Sequence, residues 1–439
     1  MAHHSACLKI WPEPSIFDEQ VTISVEGLVA DQPYTLYSHV TTYKNLAFEC
    51  ISHYTSDSRG KIDLTKQEST GGYYRGVEAM GLFWGMKPSL RNWRSYPSFI
   101  QGDVSRPLKI VMKVFPGNLQ TSLEIDSRNC LAENVSTRYY LRPGGQRFVI
   151  RDDGLHAFLY TPANEGRFPG VISIGGSFPG TNEGIPALLA SHGYVSMGLP
   201  YVGLDGLPDN FSETSMNFSY FEAAYRFMTN HKMVQSEKGI AIVTHCMGIY
   251  SALALATFLP NIRCVIADNG PIFATHQAMI YKGEPLTPPI KPTKISPRRI
   301  CPQTGNVRSR HSVTYPSFTE MESSLVLPFY KRHKTSYMFV ASMDDDGVAS
   351  EFHTNIAEKL LKKSGHPDYK ILRYPGAGHE LRPPFTPHIE ASYMKTVDSV
   401  LMWGGVTSVH CKAQKDFWKE QLLFLQRCFS DDFAPSSKL

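Results

Sequence analysis

Ile240-Ala-Ile-Val-Thr-His-Cys246-Met-Gly248, followed without a break by Ile249-Tyr-Ser-Ala-Leu-Ala-Leu-Ala-Thr-Phe258, is the stretch on which the fold turns. A short apolar run ends in polar residues, a Cys and, two positions on, a Gly. An apolar segment of helical length follows, so the stretch reads strand, tight turn, helix. A turn of this kind lifts one side chain to the head of a helix. There, free N–H groups and the helix dipole favour a thiolate and a developing oxyanion. The pattern departs from G-x-S-x-G at two places: Thr244 stands at the first Gly and Cys246 at the Ser. Taken alone, a Cys between strand and helix is more often a small buried hydrophobe, so the surroundings decide.

Working outward, further apolar runs flank it at 170–174, 194–197, 264–267, 337–341 and 370–374, after a hairpin pattern at 148–150 and 156–160. Helical segments are predicted at 215–232, 247–258 and 350–363, the last with Ser350 as its cap and Gly365 as its stop, and at 413–428. Short buried strands alternating with helices predict a mostly parallel sheet with flanking helices, the α/β-hydrolase class. Before it, from Ile10 to about Asn129, runs such as Val21-Thr-Ile-Ser-Val25 and Leu108-Lys-Ile-Val-Met-Lys-Val114 recur between turn signals and predict an antiparallel β-sandwich of immunoglobulin-like kind. The expected division is a sandwich at 1–145, a catalytic α/β domain at 146–430 and a tail at 431–439.

Chain order strengthens the reading of Cys246. In an α/β hydrolase the nucleophile is followed by an acid and then a histidine, each after a later strand. Met343-Asp344-Asp345-Asp346 follows the run at 337–341, and Pro375-Gly-Ala-Gly-His379 follows the run at 370–374. The carboxylates could instead be a polar turn, and the histidine a loop residue. The order and placement of all three favour a Cys-His-Asp set. An oxyanion hole needs backbone donors from two places: the residue after the nucleophile, Met247, and the loop Ile174-Gly175-Gly176-Ser177, where Gly176 and Ser177 would donate.

Composition sets the outer bounds. The chain has 439 residues, 42% hydrophobic and 19% charged, with a net charge of +4. That profile excludes general disorder and gives no basis for nucleic-acid binding. Eight cysteines with no C-x-x-C pair argue against a disulfide scaffold and a structural zinc. The start lacks a secretory signal pattern, and His245, Pro260, Asn261 and Arg263 interrupt the most apolar stretch, so no membrane span is expected. The final Ser437-Lys438-Leu439 is the tripeptide read by the peroxisomal import receptor, and peroxisomal (or cytosolic) residence is the expectation. The stretch 282–310 is Pro-rich, with Lys282, Lys291, Lys294, Arg298, Arg299, Arg308 and Arg310 against the single acid Glu284. A solvated loop is the plain reading; a lid or an anion-gripping loop, with Arg298 and Arg299 among its cations, is the functional one.

End to end, the sequence resembles the acyl-CoA thioesterase and bile acid-CoA:amino acid N-acyltransferase family. The resemblance rests on Phe17-Asp-Glu-Gln-Val-Thr-Ile-Ser-Val-Glu-Gly-Leu28, Gly71-Gly-Tyr-Tyr-Arg-Gly-Val-Glu-Ala-Met-Gly-Leu82, Ala187-Leu-Leu-Ala-Ser-His-Gly-Tyr194, Tyr374-Pro-Gly-Ala-Gly-His379 and Trp403-Gly-Gly405. It implies the same two-domain architecture, with Cys246 as nucleophile, His379 as base and the acid within 344–346. The family interval favours Asp345, with Asp344 as the other choice. It further implies the amino-acid-conjugating branch, whose nucleophile is Cys where the hydrolytic branch has Ser. Acyl-CoA, with taurine or glycine as acceptor, are then the substrates, and no cofactor or metal is called for. Hydrolysis by the same residues is the alternative. Binding of acyl-CoA without turnover is a third reading. Ser177 in place of a third Gly, and Arg382 in the region after the histidine, depart from the family pattern near the substrate pocket.

Overall fold

The computed structural model describes residues 5–100, 102–152, 154–177, 183–209, 216–275, 277–290, 300–311, 315–395 and 398–430. The chain forms two compact units, Met1–Leu141 with Arg382–Ile389, and Arg142–Leu381 with Glu390–Leu439. The segment Arg382–Ile389, which chain order alone puts in the second domain, makes its contacts with the first unit.

In the first unit, β1 (Cys7–Trp11) and β2 (Thr22–Glu26) pair antiparallel, and Ile62–Asp63 extends them to a three-stranded sheet. Leu8 and Ile10 of β1 and Ile23 and Val25 of β2 are buried while their neighbours are more exposed, the period-two pattern of a sheet with one apolar face. A larger sheet is built on β3 (Pro33–Thr41) and β4 (Ala47–Thr55), joined by a turn in which Asn45 takes φ 55°, a conformation Asn tolerates. β5 (Leu108–Pro116) pairs β3 on its other side, and β6 (Ala132–Tyr139) pairs β5, all antiparallel. Ser15–Ile16 adds to β6 in parallel, the one departure from the expected antiparallel order in this sheet. Arg138 is fully buried, and its guanidinium donates to Ser15 Oγ (2.6 Å), Phe17 O (2.8 Å) and Glu19 O, which makes that burial tolerable.

The second unit is built on β7 (Gln146–Asp152), β8 (Leu155–Thr161), β9 (Gly170–Ile174), β10 (Val195–Leu199), β11 (Ile240–His245), β12 (Ile262–Asp268), β13 (Ser336–Ser342) and β14 (Tyr369–Tyr374). Their order in the sheet is β7-β8-β10-β9-β11-β12-β13-β14. β7 and β8 form an antiparallel hairpin, β8 meets β10 antiparallel, and every later pairing is parallel. This is the α/β-hydrolase order. Connecting helices are α1 (Gly184–Ser191), α2 (Phe218–Asn230), α3 (Gly248–Phe258), α4 (Ser350–Lys363) and α5 (Thr407–Phe429).

β9, β10 and β13 are buried along their whole length, as strands covered on both faces must be. α3 is buried from Gly248 to Ala256, so its apolar character all round is a packing requirement. Leu253 and Leu255, fully buried, each contribute roughly 1.5–3 kcal/mol of transfer free energy and hold the helix head in place. Two expectations are corrected. Ser350 does not cap α4: Ala349 holds that position without a side-chain bond, and the Ser350 hydroxyl is engaged elsewhere. α5 starts at Thr407, not at 413; the added residues bury His410 and Cys411 while Ser408, Val409 and Lys412 stay exposed, a one-sided pattern that the sequence reading did not use.

Candidate active site

The C-terminal ends of β9, β11, β12 and β13 and the loop after β14 converge around Cys246. Sheets of this kind place ligands outside the carboxyl ends of their strands, where neighbouring connections diverge. Cys246 has φ 56°, the left-handed region that a side chain rarely occupies. Such a conformation costs on the order of 1–3 kcal/mol and persists only where the surroundings hold it. Here the Cys246 N–H donates to Asp268 O (3.0 Å), and Cys246 O accepts from Ile249 N (3.1 Å). Glycines make the required room. A Cβ on Gly270 would lie 2.1 Å from Cys246 O, and one on Gly248 would lie 2.5 Å from Gly175 O. One on Gly176 would lie 2.9 Å from Cys246 Cβ and 3.3 Å from its Sγ.

His379 is held on three sides. Its N–H donates to Trp403 O (2.7 Å), its carbonyl accepts from Asn269 Nδ2 (2.8 Å), and its ring stacks on the Trp403 indole at 5.5 Å and 20°. Nδ1 is 2.8 Å from Asp345 Oδ2, with both side chains 1% exposed. An ionised carboxylate only accepts, so Nδ1 is the donor and Nε2 is left for the opposite side. Burial pulls the His379 pKa down, but Asp345 and Cys246 outweigh it and hold it well above the ordinary value.

Asp345 is itself fixed. Oδ1 accepts from Gly347 N (2.7 Å) and Val348 N (2.8 Å), and Oδ2 accepts from Ser350 Oγ as well as from His379. Of the neighbouring acids, Asp344 is exposed and Asp346 lies 3.5 Å from Arg308 and 3.8 Å from Arg310. Asp345 is thus the one of the three carboxylates that meets the histidine. Met247 is the N-cap residue of α3, directly after Cys246, and Gly176 packs on the Cys246 side chain with Ser177 next to it. Arg298 and Arg299 lie outside the described residues, as do Ser437, Lys438 and Leu439. From the same basic stretch, Arg308 and Arg310 come to the acid loop, where Arg310 Nη1 donates to Asp345 O (3.1 Å).

The sequence reading missed three partners. Ser350 reads from the sequence as a helix cap, and Trp403 is marked there only by the family resemblance. His245 carries no site role in the sequence, yet it is half-buried, its Nδ1 is 2.6 Å from Asp268 Oδ1, and its Nε2 is 3.7 Å from Glu380 Oε1. The available signal was that two consecutive apolar strands each end on a titratable residue, His245 and Asp268, which are register partners in the sheet. His245, Cys246 and His379 offer side-chain atoms within 4.8 Å of one another. Burial lowers the His245 pKa, but Asp268 and then Glu380 more than reverse this and push it up to about 10.

Residues 18–152 match the family model described as "Acyl-CoA thioester hydrolase/BAAT N-terminal region", and residues 216–431 match "BAAT / Acyl-CoA thioester hydrolase C terminal". The peroxisomal succinyl-coenzyme A thioesterase of Mus musculus is 32% identical over 93% of this chain and 93% of its own length. Acyl-coenzyme A thioesterase 1 of Mus musculus is 31% identical over 94% of each chain. The bile acid-CoA:amino acid N-acyltransferase of Mus musculus is 32% identical over 96% of this chain and 98% of its own.

Proposed function

We propose, from the premise that the chain belongs to the acyl-CoA thioester hydrolase/bile acid-CoA:amino acid N-acyltransferase family, that it transfers acyl groups from acyl-CoA to the amine of taurine or glycine through an acyl-Cys246 intermediate. The observation that carries this reading is a thiol, not a hydroxyl, at a positive-φ turn beside His379 and Asp345.

His379, oriented by Asp345, takes the Cys246 proton, and the thiolate attacks the acyl-CoA carbonyl. The Met247 N–H and the backbone of Gly176 and Ser177 receive the oxyanion. The carbon–sulfur bond to CoA breaks, and CoA leaves with the proton from His379. The acceptor amine then attacks acyl-Cys246 and gives its proton to His379. The second carbon–sulfur bond breaks, an amide leaves, and Cys246 is regenerated. Exchange of one thioester for another conserves the activation of the acyl group. Thioesters favour amines over water more strongly than oxyesters do, which is the chemical case for conjugation. The scheme uses no metal or redox cofactor; CoA enters as the carrier on the substrate.

Water as acceptor is the second reading, favoured by the thioesterase names of two of the three relatives above. Mass analysis of products from a panel of acyl-CoAs, with and without taurine or glycine, separates the two. Amide is expected; free acid alone in every case refutes conjugation. Intact-mass detection of acyl-Cys246 is expected in the absence of acceptor, and turnover with no such species would remove the ping-pong scheme. Arg298 and Arg299 remain the proposed CoA phosphate contacts. Peroxisomal residence is proposed from Ser437-Lys438-Leu439, in keeping with the name of one relative.

A further inference from the structure

The residue before Cys246 sits where three loops meet. The His245 Nδ1 pairs with Asp268 Oδ1 at the end of the neighbouring strand (2.6 Å), and its Nε2 faces Glu380 Oε1 (3.7 Å) in the loop after β14. The ring is tilted 50° against the His379 ring, 4.7 Å between centroids. Its Cδ2 would lie 3.8 Å from a Cβ on Gly176, which puts the ring against the proposed oxyanion loop as well. Two carboxylates inside a protein around one imidazole are costly unless the imidazole is charged.

We propose that His245, clamped between Asp268 and Glu380, is a positioning residue for the Cys246–His379 pair, tying the nucleophile turn to the histidine loop and supplying a fixed positive charge beside the thiol. The proposal rests on the reading of Cys246 as nucleophile. The mechanism above used neither His245 nor its two acids. Because Glu380 follows His379 and His245 precedes Cys246, the contact between them sets the approach of the two reacting side chains. Among the described residues, the charged or titratable groups around the thiol are His245, His379, Asp268, Glu380 and, through His379, Asp345. Tyr201 is also close, and there burial and then Cys246 hold the phenol well above its ordinary pKa and therefore neutral. A cation at His245 favours thiolate, while a carboxylate at Glu380 opposes it. The two side chains therefore act with opposite sign on the same equilibrium.

That opposition supplies the test. The rate of Cys246 alkylation by iodoacetamide, followed by site-resolved mass spectrometry on the full chain, is measured against pH for the native protein and for His245→Gln and Glu380→Gln. The midpoint of thiolate formation is expected to rise by about one pH unit in His245→Gln and to fall by about one in Glu380→Gln. His245→Lys, which keeps a cation, is expected to hold the midpoint near that of the native protein. For turnover, His245→Gln is expected to lower kcat by about 10²-fold with KM changed less than about threefold. Midpoints that do not move, or that move in the same direction in the Gln variants, overturn the proposal. Should His245→Gln not fold, a Glu380→Gln midpoint that fails to fall does so alone. Alkylation does not require acyl transfer, so its profile stands even if Cys246 proves not to be the catalytic nucleophile; that failure would show separately, as undiminished turnover after complete alkylation.

Discussion

Replacing Asp345 by Asn tests the acid on which the proposed mechanism depends. The Asp345 Oδ2 to His379 Nδ1 distance is 2.8 Å, and each side chain is 1% exposed, so solvent screens the pair little. At an effective dielectric near 20, unit charges at that separation interact by about 6 kcal/mol. The attraction is present when His379 is protonated and largely absent when it is neutral, so most of it acts on the proton-transfer step. Asn preserves shape, and one oxygen can still accept from Gly347 N and Val348 N. Its amide, however, turns a donor toward His379 Nδ1 and Ser350 Oγ, both of which donate in the native arrangement. The ring must then carry its proton on Nε2, where it cannot accept from Cys246. The expected loss is on the order of 10⁴-fold in the rate of acyl-enzyme formation, or about 5.5 kcal/mol. Single-turnover loss of acyl-CoA, with intact mass reporting acylation, measures it, and thermal unfolding checks that the variant is folded. Asp344→Asn, at an exposed carboxylate, should stay within about twofold of the native rate. A folded Asp345→Asn within tenfold of native, or an Asp344→Asn that falls as far, would refute the reasoning.

Gly176→Ala places a methyl 2.9 Å from Cys246 Cβ, and either the nucleophile or the oxyanion loop must move; kcat should drop by about 10²-fold while the melting temperature shifts little. Ser350→Ala removes one donor from Asp345 but leaves the two backbone amides, so steady-state kinetics should show a loss of about tenfold, well short of Asp345→Asn. His353 is buried against Phe273 at 4.7 Å, with neither ring nitrogen partnered among the described residues, and burial lowers its pKa to about 3. The unfolded chain takes up that proton below pH ~6.5 and the folded one only near pH 3, so the stability from keeping the ring neutral is complete above ~6.5 and is lost as pH falls. On going from pH 7.5 to 5, urea unfolding should show the native protein losing roughly 2 kcal/mol more than His353→Leu; equal losses would exclude this residue as the cause.

Much of the second unit was legible because its signals are local. Apolar runs bounded by turns give buried strands, and Gly365, with φ 64°, ends α4 where the sequence places a stop. The α4 cap differs because the helix begins one residue earlier than a Ser cap requires: Ala349 takes the cap position, and Ser350, already the first helical residue, donates its hydroxyl to Asp345. Trp403 lies in the chain well beyond His379, and no periodicity announces that a backbone carbonyl and an indole face from there will hold that histidine.

By itself the sequence determined the strand–turn–helix around Cys246, the order of nucleophile, acid and histidine, and the two-part organisation. Each follows from residue type and short-range spacing, which set backbone conformation and buried faces. Only the tertiary structure decided that Asp345 rather than Asp344 meets His379, and that Ser350 braces it. It alone decided that His245 joins Asp268 and Glu380 beneath the nucleophile. Those choices depend on strand register and loop closure between elements distant in the chain. A shift of one residue turns a side chain to the other face, so composition and spacing leave them open.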